Sequence, residues 1–150
     1  MSEVMTKSMA RNVFYGGSLF FIAIFGALSV HSHIYAKNVS TDPAALTESV
    51  AAGKHVWENR ACINCHTLLG EGAYFAPELG NVMRRWGVQD DPEVAMETLK
   101  AWMDAMPTGI EGRRQMPAFH LTDAEYRALT DFLIYVGNVN TQNWPPNDAG

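Results

Sequence analysis

From Asn12 to Val30 the chain runs nineteen residues without a charge, NVFYGGSLFFIAIFGALSV. At 1.5 Å per residue this makes a helix about 28 Å long, close to the roughly 30 Å hydrocarbon core of a bilayer. The pattern predicts one membrane-spanning helix over about residues 12–30, inside an N-terminal region of residues 1–36. Beyond it the apolar positions recur at helical spacing. Asp42-Pro43 is a start signal for a helix running to about Arg60, with Val50, Gly53, Val56 and Trp57 apolar or small. Asp91-Pro92 repeats the signal for a helix over about 92–105, carrying Val94, Leu99 and Trp102 and ended by Pro107 and Gly109. Thr122 and Glu125 form a capping box for a last helix over about 123–136, stopped by Gly137. No strand-type alternation competes with these helices. Residues 37–43 read as a linker, and residues 44–150 as one domain ending in an irregular tail, Asn143-Trp144-Pro145-Pro146-Asn147.

Lys7 and Arg11 precede the apolar run, so the positive-inside rule keeps the N-terminus in the cytoplasm and exports the remainder of the chain. A cleaved signal peptide is the rival reading. Its apolar region would be only about 7–15 residues long and would end at an A-x-A-like site, which this chain lacks.

Only two cysteines occur, and both lie in Cys62-Ile63-Asn64-Cys65-His66. Cys-x-x-Cys-His is the attachment motif of a c-type haem: two thiols at this spacing can add to the two vinyl groups of one porphyrin, and the next residue can put an imidazole nitrogen on the iron. Zinc would need two further ligands at similar spacing, and a thioredoxin-like centre would need a βαβ context. One motif means one covalent haem. No thiol is then left for a disulfide, an iron–sulfur cluster or a copper–thiolate centre.

The sixth iron ligand must come from the methionines. Met1, Met5 and Met9 precede the membrane run, while Met96 and Met103 fall within a helix, where methionine commonly fills core space. Met106-Pro107 and Met116-Pro117 lie in loops. Met116 is favoured, because it stands just before the last helix with Arg113-Arg114 nearby to pair with haem propionates; Met106 is second. A thioether on the iron raises the reduction potential and suits electron transfer. With both axial positions filled, no open site remains for a substrate.

From Asn38 onward there are eight Lys or Arg against fifteen Asp or Glu, a net of −7 before any propionate is added. Nucleic-acid binding, which needs a basic surface, is excluded. Small basic redox partners suit this charge.

A helix leading into Cys-x-x-Cys-His, a middle helix, a methionine loop and a final helix resemble the class I cytochrome c fold over about residues 44–137. The fold class expected is all-α, a single N-terminal transmembrane helix followed by that domain. In such a fold Gly53 and Trp57 would meet Phe132 and Tyr135 where the terminal helices cross. Pro77, in Ala-Pro-Glu-Leu-Gly, resembles the proline whose carbonyl accepts a hydrogen bond from the proximal imidazole.

Closer still, the run from His66 to Asn81 (HTLLGEGAYFAPELGN), the run from Gly112 to His120 (GRRQMPAFH) and Trp144-Pro145-Pro146-Asn147 resemble the small cytochrome c subunit of bacterial respiratory nitric oxide reductase. That resemblance implies a non-catalytic electron-transfer subunit, anchored in the cytoplasmic membrane with its haem domain in the periplasm. It implies haem-binding roles for Cys62, Cys65, His66 and Met116, the last two on the iron. The implied partner is a large multi-span subunit holding haem b, haem b3 and a non-haem iron, where two NO become N2O, and the implied donors are small soluble periplasmic redox proteins. It also implies a calcium ion at the subunit interface, reached by main-chain oxygens of Gly72 and Tyr74. The alternative is a free-standing, membrane-tethered monohaem shuttle.

Overall fold

The computed structural model describes residues 5–109 and 111–142. They divide into two compact units, one up to Val39 and one from Ser40. The first is a single long helix, α1 (Lys7–Tyr35), continued by a π-helical turn over Ala36–Ser40. Thr6 caps its start, its hydroxyl accepting from the Met9 amide at 3.2 Å. Phe14, Leu19, Phe21, Ile22, Phe25 and Leu28 are all exposed, and no described residue of α1 is buried. A helix of this length and composition can cross a membrane. It is longer than the uncharged run because Lys7 and Arg11 extend the first turns, and the expected linker begins with helical turns.

The second unit is mostly helical: α2 (Glu48–Asn59), α3 (Val82–Arg85), α4 (Pro92–Asp104) and α5 (Asp123–Gly137). Asp42 and Pro43 do start a turn, but it is only a short 3-10 helix over Pro43–Ala45, capped by the Asp42 carboxylate on the Ala44 amide at 2.9 Å. Leu46 leaves the helical region, and Thr47 caps α2 afresh through the Val50 amide. The expected single helix from Asp42 is therefore two elements. The expected start of α4 at Asp91-Pro92 is present, with the Asp91 carboxylate accepting from Glu93 and Val94. The Thr122–Glu125 capping box on α5 is complete in both directions.

α2 and α5 cross at Gly53, Ala128 and Phe132, and the Trp57 and Phe132 rings stand 6.4 Å apart. Val50, Val56, Met83, Leu99, Tyr126, Leu129, Leu133 and Val136 complete a continuous core. Burying each such side chain contributes about 1.5–3 kcal/mol. Met96 is half-buried against it, whereas Met83 is fully enclosed.

One element has no counterpart in the helical pattern. Thr67–Leu68 (β1) and Glu71–Gly72 (β2) pair antiparallel, Thr67 with Gly72 and Leu68 with Glu71. The turn residues Leu69 (φ 52°) and Gly70 (φ 84°) are both left-handed, as a two-residue hairpin turn requires. Strands of two residues are too short to leave an alternating signature.

Candidate functional site

α2 ends at Arg60, and Ala61 turns the chain in the left-handed region (φ 54°) into a 3-10 turn over Cys62–Asn64. Within it the amides of Cys65 and His66 both donate to the Cys62 carbonyl, at 3.1 and 2.9 Å. This winding brings Cys62, Cys65 and His66 to one wall of a crevice of about 770 Å³. Such a volume lies within the range of cofactor sites. Leu79, Val82 and Trp86 line it after the loop, Leu99, Trp102 and Met103 come from α4, and Leu133 comes from α5.

His66 is oriented by its backbone neighbours. Its Nδ1 lies 2.8 Å from the Pro77 carbonyl oxygen, so Nδ1 carries the proton and Nε2 is left as the donor atom facing the crevice. The Trp57 ring stands 6.3 Å from the imidazole. The relation of His66 and Pro77 expected from the sequence is present.

Met116 lines the crevice from the extended segment before α5, but so does Met106, and Met103 joins them from α4. The Met106 sulfur receives a contact from the Thr108 hydroxyl at 3.9 Å. The fold thus brings both candidate thioethers to one cavity and leaves Met96 outside it.

Three guanidinium groups line the crevice: Arg60, Arg85 and Arg114. Arg60 is paired with Glu125 at 2.8 Å, and Arg85 donates to the Glu78 carbonyl. Arg114 lies 4.1 Å over the Phe75 ring, within cation–π range. Of the expected Arg113-Arg114 pair only Arg114 reaches the cavity, while Arg60 and Arg85 enter it from positions the linear pattern did not single out. Cations beside an apolar slot suit the two carboxylates of a porphyrin.

The residues present fit a haem. An apolar slot carries two thiols and an oriented imidazole on one wall, thioethers elsewhere on its lining, and cations among the lining groups. Burial pushes the Cys62 thiol up to about 11.

The loop after the motif leaves Tyr74 outside, while Phe75 lies at the edge of the crevice and is only partly covered. Tyr74 is 80% exposed and Phe75 55% exposed, with Ile63 of the motif also exposed. The Tyr74 hydroxyl donates to the Gly70 carbonyl at 3.1 Å. Gly72 has φ +126°, and a Cβ there would lie 2.3 Å from the His66 carbonyl oxygen, so the hairpin itself requires glycine at this position. Among the described residues no group of three or more His, Cys, Asp or Glu gathers to hold a metal ion.

Residues 50–136 match the cytochrome c family. Over its whole length, and theirs, the chain is 75% identical to the nitric oxide reductase C subunit of Paracoccus denitrificans and 68% identical to that of Cereibacter sphaeroides. It is 47% identical, again end to end, to that of Stutzerimonas stutzeri. The chain belongs to the family of nitric oxide reductase C subunits. Its domain is a cytochrome c, and covalent haem c is the cofactor that this fold implies. The long apolar helix α1 fits a membrane-anchored member of the family.

Proposed function

We propose that this chain is the electron-accepting subunit of a membrane nitric oxide reductase. Cys62 and Cys65 would hold one haem through thioethers, with His66 and Met116 on the iron. The bound group supplies one-electron redox chemistry. The chain's own residues exclude water from it, orient its proximal ligand and present one face to a partner. The observation that carries the reading is the crevice with Cys62, Cys65 and His66 on one wall and thioether groups among its other lining residues, in a chain 75% identical throughout to a nitric oxide reductase C subunit.

Met116 is preferred to Met106 because it immediately precedes the segment that runs through half-buried Phe119 and buried Leu121 into α5. That attachment anchors the chain on the C-terminal side of Met116. With Lys7 and Arg11 in the cytoplasm, the haem domain lies in the periplasm of a bacterial inner membrane. Electrons come from small periplasmic redox proteins and pass to a large subunit holding haem b, haem b3 and non-haem iron, where two NO, two electrons and two protons give N2O and water. The exposed Tyr74 and Phe75 form an apolar patch beside the haem motif, suited to burial against that subunit and unfavourable on a freely diffusing shuttle. Main-chain oxygens of Gly72 and Tyr74, in the same loop, would reach a calcium ion shared with the large subunit.

The test is purification in mild detergent through a tag on this chain. A co-purifying b-type haem subunit that reduces NO with a periplasmic donor is the expected result. A chain that purifies alone, from cells whose NO consumption does not depend on it, would favour the tethered shuttle.

A further inference from the structure

Glu78 is only 5% exposed and is absent from the lining of the crevice. Its carboxylate is enclosed by main-chain donors. Oε1 accepts from the amides of Leu69 and Gly80, each at 2.8 Å, and Oε2 accepts from the Gly70 amide at 3.3 Å. Two of these donors belong to the left-handed hairpin turn and one to the segment after Pro77. A Cβ on Gly80 would lie 2.7 Å from Oε1, so the segment closes tightly on the carboxylate. The main chain of Glu78 is fixed too, since its carbonyl accepts from Arg85. On either side of it Pro77 and Leu79 line the crevice, and Pro77 holds His66.

A left-handed Leu carries a steric cost, and the hairpin places one at position 69. An anionic acceptor for the two turn amides offsets that cost, because hydrogen bonds to charged groups are stronger than those between neutral ones. Burial alone would raise the carboxyl's pKa. The Thr67 hydroxyl and the amides of Gly80, Leu69 and Gly70 outweigh it and hold the group below the ordinary carboxylate value, so it is ionised at neutral pH.

We infer that Glu78 is a positioning residue. Its buried carboxylate ties the Leu69-Gly70 turn to the Pro77–Gly80 segment, holds the Pro77 carbonyl against the His66 imidazole, and sets a fixed negative charge one residue along the chain from that carbonyl. That charge favours the oxidised iron and keeps the reduction potential lower than a neutral residue would. The inference rests on the haem reading proposed for the crevice.

The experiment uses the full-length, haem-loaded chain in detergent. Glu78→Gln keeps the shape and removes the charge, and Glu78→Asp keeps the charge at shorter reach. Glu78→Gln is expected to raise the reduction potential and to alter the hyperfine-shift pattern of the haem methyl protons in the oxidised protein, which reports the plane of the proximal imidazole. The methionine–iron band should persist, and Glu78→Asp should move the potential less. A merely stabilising role would lower the denaturation midpoint and leave potential and methyl pattern unchanged, and that result would overturn the inference. So would a larger potential shift in Glu78→Asp than in Glu78→Gln. Should Glu78→Gln fail to mature, amide exchange in the unaltered chain decides. The Leu69 and Gly80 amides should exchange slowly, and the Glu78 carboxyl carbon should show no titration between about pH 7 and about pH 5. Fast exchange or titration there overturns the inference as well. An unaltered chain without covalent haem would instead sink the haem reading and leave the carboxylate clamp standing.

Discussion

Gly53 of α2 faces Ala128 of α5 so closely that a Cβ on Gly53 would lie 1.9 Å from the Ala128 carbonyl oxygen and 2.6 Å from the Phe132 Cβ. Neither obstacle is the end of a flexible side chain. The two helices must separate if anything larger than hydrogen stands at 53, and the separation would carry Trp57 away from Phe132 and loosen the support behind His66. Gly53→Ala is expected to cost about 3 kcal/mol or more, at or beyond the upper end of ordinary overpacking, since backbone meets backbone. Denaturant titration of the haem-loaded chain measures it. A loss under about 1 kcal/mol would mean that the crossing is looser than this geometry.

Covalent attachment depends on both sulfurs. Replacing Cys62 and Cys65 together by serine should abolish haem staining after denaturing electrophoresis, whereas each single replacement leaves one bond and weaker staining. Full staining of the double variant would remove these residues from the assignment.

The two loop methionines reach one cavity and can be separated by substitution. Met116→Ala should lose the weak sulfur-to-iron band at the red end of the oxidised spectrum and lower the reduction potential, because a thioether favours the reduced iron. Met106→Ala should retain the band. The opposite pattern transfers the ligand role to Met106.

Acid sensitivity has an identifiable contributor at the start of α5. The Thr122 amide, then the Arg60 guanidinium and the Thr122 hydroxyl, bring the Glu125 carboxyl down to about 2 from an ordinary 4.5. A depressed folded-state pKa stabilises the fold above the unfolded value, and that stability is lost as pH falls from about 4.5 towards about 2. Glu125→Gln should flatten the stability profile in that window while lowering stability at neutral pH. An unchanged slope of unfolding midpoint against pH would dismiss the contribution.

Tyr74→Asp should weaken association with the large subunit and leave the isolated haem spectrum intact, because its side chain is exposed and absent from the crevice lining, whereas the neighbouring Phe75 lines the crevice beneath Arg114. Charge depletion at interface cores gives the reason. Co-purification through a tag on this chain measures it, and an undiminished yield of the complex would place the interface elsewhere.

What the sequence determined by itself is local. The Cys-x-x-Cys-His spacing is set by the chemistry of one porphyrin edge, the uncharged run by the thickness of a bilayer, and the starts of α4 and α5 by side chains that cap amides two or three residues away. The two helix starts read correctly without knowing what lies across the fold. The tail at Trp144-Pro145-Pro146-Asn147 lies outside the described residues. What the tertiary structure decided is non-local. The hairpin at 67–72 places a leucine in a left-handed turn, and a leucine carries no sign of that in the sequence. Glu78 reads as one acid in a loop, although its apolar neighbours in Ala-Pro-Glu-Leu-Gly are a faint signal that it is enclosed. Arg60 and Arg85 enter the crevice because α2 and α3 both end beside it. Met106 and Met116 share the cavity for a similar reason: chain distance along a loop says little about distance across a slot whose walls come from five different segments.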